Sequence, residues 1–259
     1  MRHAGAVHPV NSSTSWSVAP VLALLLFAAG VTGWLLARAH PGGRPGRHRL
    51  LLRQGLPLAG MTGADLIFTR MALRGDGRNA GDDWVWRLAV EHRDPMATTV
   101  AVVITDVGST LTMGVLAAAG VIVAWSTRRW LTGALVMAVA VGAGALVRAI
   151  KVAVGRDRPP VAQRLVTAIN QSFPSGHALA SAAILGVLAV AALTVLTGHR
   201  TRRAVLIAAV VLPGAIGVSR IYLGVHWASD VLGGWGIGVT WLLLCRTLVA
   251  LGGARAVRA

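Results

Sequence analysis

The sequence predicts an all-α fold, that of a polytopic membrane protein with six transmembrane helices. Composition is the first reason: 55% of the 259 residues are hydrophobic and only 13% are charged, with a mean hydropathy of +0.66. A soluble domain has about a quarter charged residues. Apolar runs are the second reason, because several approach the roughly 20 residues that a helix needs to cross the hydrocarbon core. One membrane domain is therefore favoured over one or two soluble domains.

The first apolar run covers residues 17–37 and follows an N-terminal tail at 1–16, which is predicted to be cytoplasmic. Ala37-Arg38-Ala39 resembles the small-x-small cleavage site of a secretory signal. The apolar core of a signal is only about 7–15 residues long, which is shorter than this run. We therefore interpret the run as an uncleaved transmembrane helix, with a cleaved signal peptide as the alternative.

A long connection at residues 38–108 follows and is predicted to be external. It begins with an irregular piece rich in Pro, Gly and Arg. Two amphipathic helices are expected after it, around Leu56–Leu73 and Trp84–Ile104, with Trp84 and Trp86 as anchors at the membrane interface. We interpret these helices as a lid or a lateral brace that lies on the membrane.

The other five runs form a predicted bundle at residues 109–250, before a cytoplasmic tail at 251–259. They lie at 109–126, 131–150, 178–197, 204–220 and 228–250. Pro213 lies within one of them, where a proline favours a kink. Glycine and alanine are frequent in these runs and let membrane helices pack closely. The one cysteine, Cys245, excludes an intramolecular disulfide and a multi-cysteine metal site.

Arginine positions predict the topology, because cytoplasmic loops are enriched in Lys and Arg. With both termini inside, the cytoplasmic side receives Arg128 and Arg129; Arg200, Arg202 and Arg203; and Arg246, Arg255 and Arg258. The external connection is also basic, which conflicts with the rule, although long connections translocate largely regardless of charge. The net charge of +16 fits contact with anionic lipid headgroups, because much of it lies in short segments between the apolar runs. The sequence has no basic stripe with interleaved aromatics, which argues against a nucleic-acid partner.

Three polar clusters interrupt the apolar pattern, and the predicted topology places all of them on the outer face. They are Lys151 with Arg158-Pro159; Pro174-Ser175-Gly176-His177; and Ser219-Arg220 with His226 and Asp230. Such residues are costly near a membrane and therefore indicate function.

The residue types in these clusters are those of a phosphate site. Ser175 can cap the helix that follows it, and Gly176 lets the free N–H groups of the first turn approach an anion. His226 and Asp230 are four residues apart, so they share a helix face on which the carboxylate can orient the imidazole. The basic residues of the first and third clusters supply cations that can hold phosphate.

Together, the clusters resemble the tripartite signature of the type 2 phosphatidic acid phosphatase family, a membrane branch related to bacterial class A acid phosphatases and vanadium haloperoxidases. All eleven signature residues named above are present. The resemblance implies a catalytic bundle formed by helices 2–6, with motifs at 151–159, 174–177 and 219–230. The stretch Ile104–Ser109 is also similar to a sequence that precedes this bundle in the family.

The resemblance also implies a role for each signature position. His226 attacks phosphorus and forms a phosphohistidine, Asp230 holds its ring, and His177 protonates the leaving oxygen. The expected phosphate-binding residues are Lys151, Arg158, Ser175, Gly176 and Arg220, and the expected structural residues are Pro159, Pro174 and Ser219. Members of the family use no metal, and we expect no cofactor.

The expected function is hydrolysis of a lipid phosphate or pyrophosphate in a bacterial plasma membrane. Undecaprenyl pyrophosphate, phosphatidylglycerophosphate and phosphatidate all remain candidate substrates. The composition, rich in Ala, Arg, Gly and Val, is typical of a GC-rich bacterium, and a site on the outer face would then suit recycling of the cell-wall carrier lipid. A phosphotransferase with the same site is the main alternative. A haloperoxidase, which is usually soluble, and a non-enzymatic lipid transporter are less favoured. The sequence carries no signal of an oligomeric state.

Overall fold

Every regular element in the described part of the chain is a helix, which confirms the all-α prediction. The computed structural model describes residues 47–73 and 79–256, with side chains over 57–73 and 79–250. The predicted tail at 1–16 and first transmembrane helix at 17–37 lie outside these ranges. The helices are α1 (Arg47–Ala72), α2 (Ala80–Glu91), α3 (Pro95–Val107), α4 (Thr110–Ser126), α5 (Trp130–Val154), α6 (Gly176–Ala192), α7 (His199–Tyr222) and α8 (Ala228–Ala256), with a 3₁₀ turn at Val161–Gln163.

Three of the described helices, α5, α7 and α8, are long and apolar enough to cross a membrane. Helices α3 and α4 provide a fourth span if the pair, which is bent by 42° at a short break, is counted as one. Helix α6 is also apolar but shorter. The prediction of a multi-pass membrane protein is confirmed, whereas the residues with a described structure account for three or four of the six predicted spans.

Two predicted ends of apolar runs differ from the structure. The run at 178–197 ends as a helix at Ala192, where the N–H groups of Thr194 and Val195 bond to carbonyls three residues back and form a turn. Helix α8 continues to Ala256, beyond the end predicted at 250. Hydropathy alone marks neither end, because an apolar run can continue into a turn and a helix can continue into polar residues.

Helix α1 belongs to the core of the bundle, which corrects the interpretation of Leu56–Leu73 as a segment on the surface. Met61, Ala64, Phe68 and Met71 are buried, at a spacing of three or four residues that forms one helix face. This face packs against α8. The opposite face of the helix is exposed and mixes polar residues such as Arg70 with apolar ones such as Leu66, which has 60% of its surface accessible.

The second amphipathic stretch, Trp84–Ile104, forms two helices rather than one. Asp94 caps the start of α3, and Pro95 occupies its first turn, so α2 ends before this point. The corner between the helices is fastened to the end of α7. Arg93 donates two hydrogen bonds to the Tyr222 carbonyl at 3.0 and 3.1 Å, and the Asp94 N–H donates to the Tyr222 hydroxyl at 3.0 Å. This attachment holds α2 beside the ends of α7 and α8.

Helices α6 and α8 approach so closely at the centre of the bundle that only glycine fits between them. A Cβ atom on Gly234 would lie 2.8 Å from the carbonyl oxygen of Ser175, and one on Gly238 would lie 2.6 Å from that of Leu179. Small residues of this kind let membrane helices pack backbone to backbone. The close packing brings the start of α6 beside the start of α8, where the Ser175 N–H donates to the Asp230 carbonyl at 2.9 Å.

Candidate active site

The structure brings the three polar clusters together at one end of the helical bundle. Two of the helices end there, α5 and α7, and two begin there, α6 and α8. From the first cluster, Lys151 lies in the last turn of α5, and Arg158 and Pro159 follow that helix. From the second, Ser175 caps the start of α6. From the third, Ser219 and Arg220 lie in the last turn of α7, His226 precedes α8, and Asp230 lies in the first turn of α8. The predicted meeting of the clusters on one side of the protein is therefore seen in the fold.

His226 and Asp230 form a buried pair at the centre of this end. The two side chains are 2% and 0% exposed, and His226 Nδ1 lies 3.3 Å from Asp230 Oδ2. The same oxygen accepts hydrogen bonds from the Trp227 N–H at 2.8 Å and the Ser172 hydroxyl at 2.5 Å. Because the carboxylate is fixed by its neighbours, it can hold the imidazole with Nδ1–H towards Asp230 and leave Nε2 available.

The Nε2 atom of His226 faces a guanidinium group. Arg158 Nη1 lies 3.2 Å from it and also donates to the Val225 carbonyl at 2.6 Å. The other side of the Arg158 fork donates to the backbone and side-chain oxygens of Asn170 at 2.5 and 2.7 Å. Burial lowers the pKa of Arg158 to about 10, so the group stays charged at neutral pH. An anion bound by Arg158 would therefore lie next to His226 Nε2.

His226 is neutral at neutral pH. Burial lowers the pKa of His226 to about 3, because the effect of removing the ring from water exceeds the opposing effect of the hydrogen bond to Asp230. Nearby Arg158 and Arg220 lower the pKa further. A neutral imidazole that donates from Nδ1 carries a lone pair on Nε2, and this is the form that a nucleophile needs.

Two further cations of the signature line the same region. Lys151 is buried, and its Nζ donates to the carbonyls of Gln171 and Ser172 in the segment that leads into α6. Arg220 Nη1 donates to the hydroxyl of Thr105 in α3 at 2.7 Å. Arg220 Nε is buried and has no hydrogen-bond partner in the described structure. A buried donor without a partner is costly, so this N–H is available for a bound anion.

The start of α6 has the predicted cap. The Ser175 side chain accepts from the Ala178 N–H at 3.5 Å, and Ser175 itself is fully buried. Gly176 and His177 are half-buried. The first-turn N–H groups of a helix carry partial positive charge and bind phosphate oxygens. This helix start therefore adds neutral donors to the side chains of Lys151, Arg158 and Arg220.

The three signature residues with expected structural roles are all buried, the two prolines in the segments between helices and Ser219 in the last turn of α7. The Pro159 carbonyl accepts from Arg164 Nε at 2.8 Å. The Ser219 hydroxyl donates to the Ile216 carbonyl, one turn back in α7, at 2.7 Å. Pro174 lies directly before the cap of α6. The structural roles of these three residues stay predictions.

Sequence reasoning missed several polar residues that contact the predicted ones. Asp82, Arg156, Ser172 and Ser229 are all buried, and each takes part in the hydrogen bonds around Asp230. Thr105, which accepts a hydrogen bond from Arg220, lies in the Ile104–Ser109 stretch that is similar to a sequence of the family. Arg156 had one visible signal, since it is a second arginine beside Arg158 in a loop between apolar runs.

Gly224 shapes the corner that carries His226. Its φ of +73° lies in the left-handed region, which costs a residue with a Cβ atom about 1–2 kcal/mol. A Cβ there would also lie 2.5 Å from the Gln163 carbonyl oxygen and 2.6 Å from Arg93 Nη2. We expect Gly224→Ala to lower both the thermal unfolding midpoint in detergent and kcat, the latter by about 10- to 100-fold, since small displacements of catalytic groups have effects of this size.

The matched control for this change is Gly214→Ala within α7. A Cβ on Gly214 meets nothing within 4 Å, and alanine is the better helix former by about 0.5–1 kcal/mol. This variant is expected to keep its activity and to keep or slightly raise its unfolding midpoint. Equal behaviour of the two variants would contradict the assigned role of Gly224.

Comparison with known proteins agrees with this arrangement. A family model described as the PAP2 superfamily matches residues 129–252. Phosphatidylglycerophosphatase B of Bacillus subtilis (strain 168) is 32% identical over 182 residues, which cover 68% of this chain and 86% of that protein. The chain belongs to the PAP2 superfamily. Its fold also matches the crystal structure of a transmembrane PAP2-type phosphatidylglycerolphosphate phosphatase from Bacillus subtilis, with a TM-score of 0.67, 27% identity, and coverage of 74% of this chain and 94% of that one.

Membership of this family makes the chain a membrane phosphatase, a hydrolase, as the resemblance of the three clusters had indicated. All three motifs, at 151–159, 174–177 and 219–230, lie within the residues matched by the family model. The end of the bundle where they meet is therefore the candidate active site of this PAP2 protein. Among the described residues, no group of three or more His, Cys, Asp or Glu side chains is placed to hold a metal ion.

Proposed function

We propose that this PAP2 protein hydrolyses the phosphate ester of a membrane lipid through a covalent intermediate on His226. One observation supports the proposal above all: the buried imidazole is held at Nδ1 by Asp230, and its Nε2 faces Arg158 at 3.2 Å. A nucleophile oriented by a third group and directed towards an anion-binding side chain is the arrangement that covalent phosphoryl transfer needs.

In the first step, His226 Nε2 attacks phosphorus, and the bond from phosphorus to the lipid oxygen breaks. His177 donates a proton to the departing oxygen, so the lipid leaves as an alcohol. Burial and the nearby Arg220 lower the pKa of His177, and the negative charge of the bound phosphate opposes this effect, so the ring carries its proton in the complex with substrate. Lys151, Arg158 and Arg220 neutralise charge on the phosphoryl oxygens as it develops, together with N–H groups at the start of α6. Asp230 stabilises the positive charge that the attacking imidazole acquires.

In the second step, water attacks the phosphorus atom of the phosphohistidine. His177, now neutral, accepts a proton from this water, and the bond between phosphorus and Nε2 breaks. Inorganic phosphate leaves, and the proton returns His177 to its starting form. If a lipid hydroxyl replaces water in this step, the same site acts as a phosphotransferase, so only the products distinguish the two activities.

The substrate best supported by the comparisons is phosphatidylglycerophosphate, because the similar sequence and the similar solved structure from Bacillus subtilis are both named as phosphatases of this lipid. Undecaprenyl pyrophosphate and phosphatidate present the same phosphate chemistry on an apolar tail. The arginine pattern supports a plasma-membrane protein with six spans, both termini in the cytoplasm and the active site on the outer face.

A substrate panel tests the proposed function. The purified full-length chain is assayed in mixed micelles for release of inorganic phosphate from the three lipids, with diacylglycerol present as an acceptor in a parallel series. We expect phosphatidylglycerophosphate to give the highest kcat/KM, and phosphate to be released rather than transferred to the acceptor. Turnover of undecaprenyl pyrophosphate alone would contradict the substrate assignment, and a phosphorylated acceptor as main product would contradict hydrolysis.

A further inference from the structure

A second carboxylate, Asp82 of α2, is buried next to the candidate active site. It is 2% exposed, and its oxygens accept from the Ser229 N–H at 2.8 Å, the Ser229 hydroxyl at 2.6 Å and Arg156 Nη2 at 2.6 Å. A buried carboxylate is costly unless it is paired and hydrogen-bonded, so these contacts explain how it stays in place. None of the catalytic steps above uses Asp82 directly.

Arg156 connects this carboxylate to the nucleophile. It lies between Asp82 and Asp230, with its Nη2 atom 2.6 Å from Asp82 Oδ2 and its Nη1 atom 2.5 Å from Asp230 Oδ1. The Arg156 side chain is 0% exposed, and the ring of Trp227 lies 5.9 Å from its guanidinium carbon. The other oxygen of Asp230 contacts His226 Nδ1. A continuous series of alternating charges therefore runs from Asp82 through Arg156 and Asp230 to His226.

We infer that Asp82 and Arg156 are positioning residues that set the orientation and effective charge of Asp230, and through it the reactivity of His226 Nε2. The inference deepens the proposed function and rests on it. Arg156 fixes Asp230 Oδ1, which leaves Oδ2 for the imidazole. Asp82 then balances the charge of Arg156, because two carboxylates and one guanidinium carry a net charge of −1, the same as Asp230 alone.

This balance matters because cations surround His226 from several elements. They are Lys151 of α5, Arg158 of the following loop and Arg220 of α7, with the titratable His177 of α6 on the same side. Without Asp82, the Arg156–Asp230 pair would be neutral overall, and no net negative charge would oppose these cations. The basicity of His226 Nε2 would fall, because charges interact strongly in a buried site. Basicity governs how readily the nitrogen forms a bond to phosphorus.

The experiment compares two competitive inhibitors of the purified full-length enzyme. Orthovanadate can form a bond to Nε2, whereas inorganic phosphate occupies the same oxygen-binding groups without one. We expect Asp82→Asn to raise the inhibition constant of vanadate about tenfold, the effect of one pKa unit in basicity. The constant for phosphate should change by less than about twofold, because the phosphate-binding side chains are intact. A purely structural loss would weaken both inhibitors together.

A double variant and a matched control sharpen this test. The double variant, Asp82→Asn with Arg156→Gln, removes both balancing charges and leaves Asp230 with its own charge. The vanadate preference, which is the inhibition constant of phosphate divided by that of vanadate, should therefore return towards the value of the unmodified enzyme. Glu91→Gln removes the same charge at an exposed position of α2 and should change neither constant. If Asp82→Asn does not fold, Arg156→Gln alone provides the converse test, with an expected strengthening of vanadate relative to phosphate.

Two outcomes would overturn the inference. One is an equal change, or no change, of the two inhibition constants in Asp82→Asn. The other concerns the vanadate affinity relative to the phosphate affinity. The inference fails if this ratio is no higher in the double variant than in Asp82→Asn, or no higher in Arg156→Gln than in the unmodified enzyme. Failure of the proposed function is recognised separately with His226→Gln. If His226 is not the nucleophile, this variant keeps the vanadate preference of the unmodified enzyme.

Discussion

Replacement of His226 with glutamine is expected to lower kcat for a lipid phosphate by at least about 10⁴-fold, since loss of a catalytic nucleophile has effects of this size or larger. Glutamine is polar and similar in size, but its amide cannot form the covalent bond to phosphorus. The oxygen-binding groups, Lys151, Arg158 and Arg220, stay in place, so KM should change little. Release of inorganic phosphate at saturating substrate measures this effect.

His199→Gln is the control for this variant, because His199 is an exposed histidine at the opposite end of α7 from Arg220. It should keep full activity. Circular dichroism and the unfolding midpoint in detergent establish that both variants are folded. Activity of His226→Gln within about tenfold of the unmodified enzyme would contradict a nucleophilic role.

Replacement of His177 with asparagine is expected to lower kcat by about 10²- to 10⁴-fold for lipid substrates, which is the usual contribution of a general acid. The physical reason is that a lipid alkoxide is a poor leaving group and needs a proton as its bond to phosphorus breaks. An aryl phosphate with an acidic phenol leaves without this help. The same variant should therefore lose far less activity towards an aryl phosphate than towards phosphatidylglycerophosphate.

The ratio of the two losses is the informative quantity. It separates a general acid from a residue that only binds phosphate, because a binding role affects both substrates equally. The comparison also tolerates some misfolded protein, since the misfolded fraction lowers both rates by the same factor. Equal losses for the lipid and the aryl phosphate would contradict the assignment of His177 as the proton donor.

The meeting of the three clusters could be predicted because two kinds of pattern in the sequence agree. Apolar runs locate helices, and antiparallel connections bring the end of one run next to the start of the next. Lys151 at the end of α5 and Ser175 at the start of α6 follow directly from this logic. The spacing of His226 and Asp230 predicts that they lie side by side at the start of a helix. Their 3.3 Å contact agrees with this, but His226 lies in the turn before Ala228, where α8 begins, and not on the helix itself.

Contacts between distant segments could not be predicted in the same way. Asp82 lies 74 residues before Arg156 in the sequence, just before the stretch at Trp84–Ile104, whose pattern suggested a helix lying on the membrane. The burial of Phe68 and Met71 against α8 was hidden for the same reason. An amphipathic helix shows that one face is covered, but its sequence does not distinguish a lipid surface from the face of another helix.

The central claim is that His226 forms a covalent bond to phosphorus during turnover, and trapping of the phosphoenzyme tests it most directly. The full-length enzyme is mixed with ³²P-labelled phosphatidylglycerophosphate, quenched with base within the first turnover, and digested. We predict a label on the peptide that contains His226, stable in base and lost in acid, as expected of a phosphoramidate. The label should be absent from His226→Gln. A label on another residue, or no label in an enzyme that turns over normally, would contradict the account.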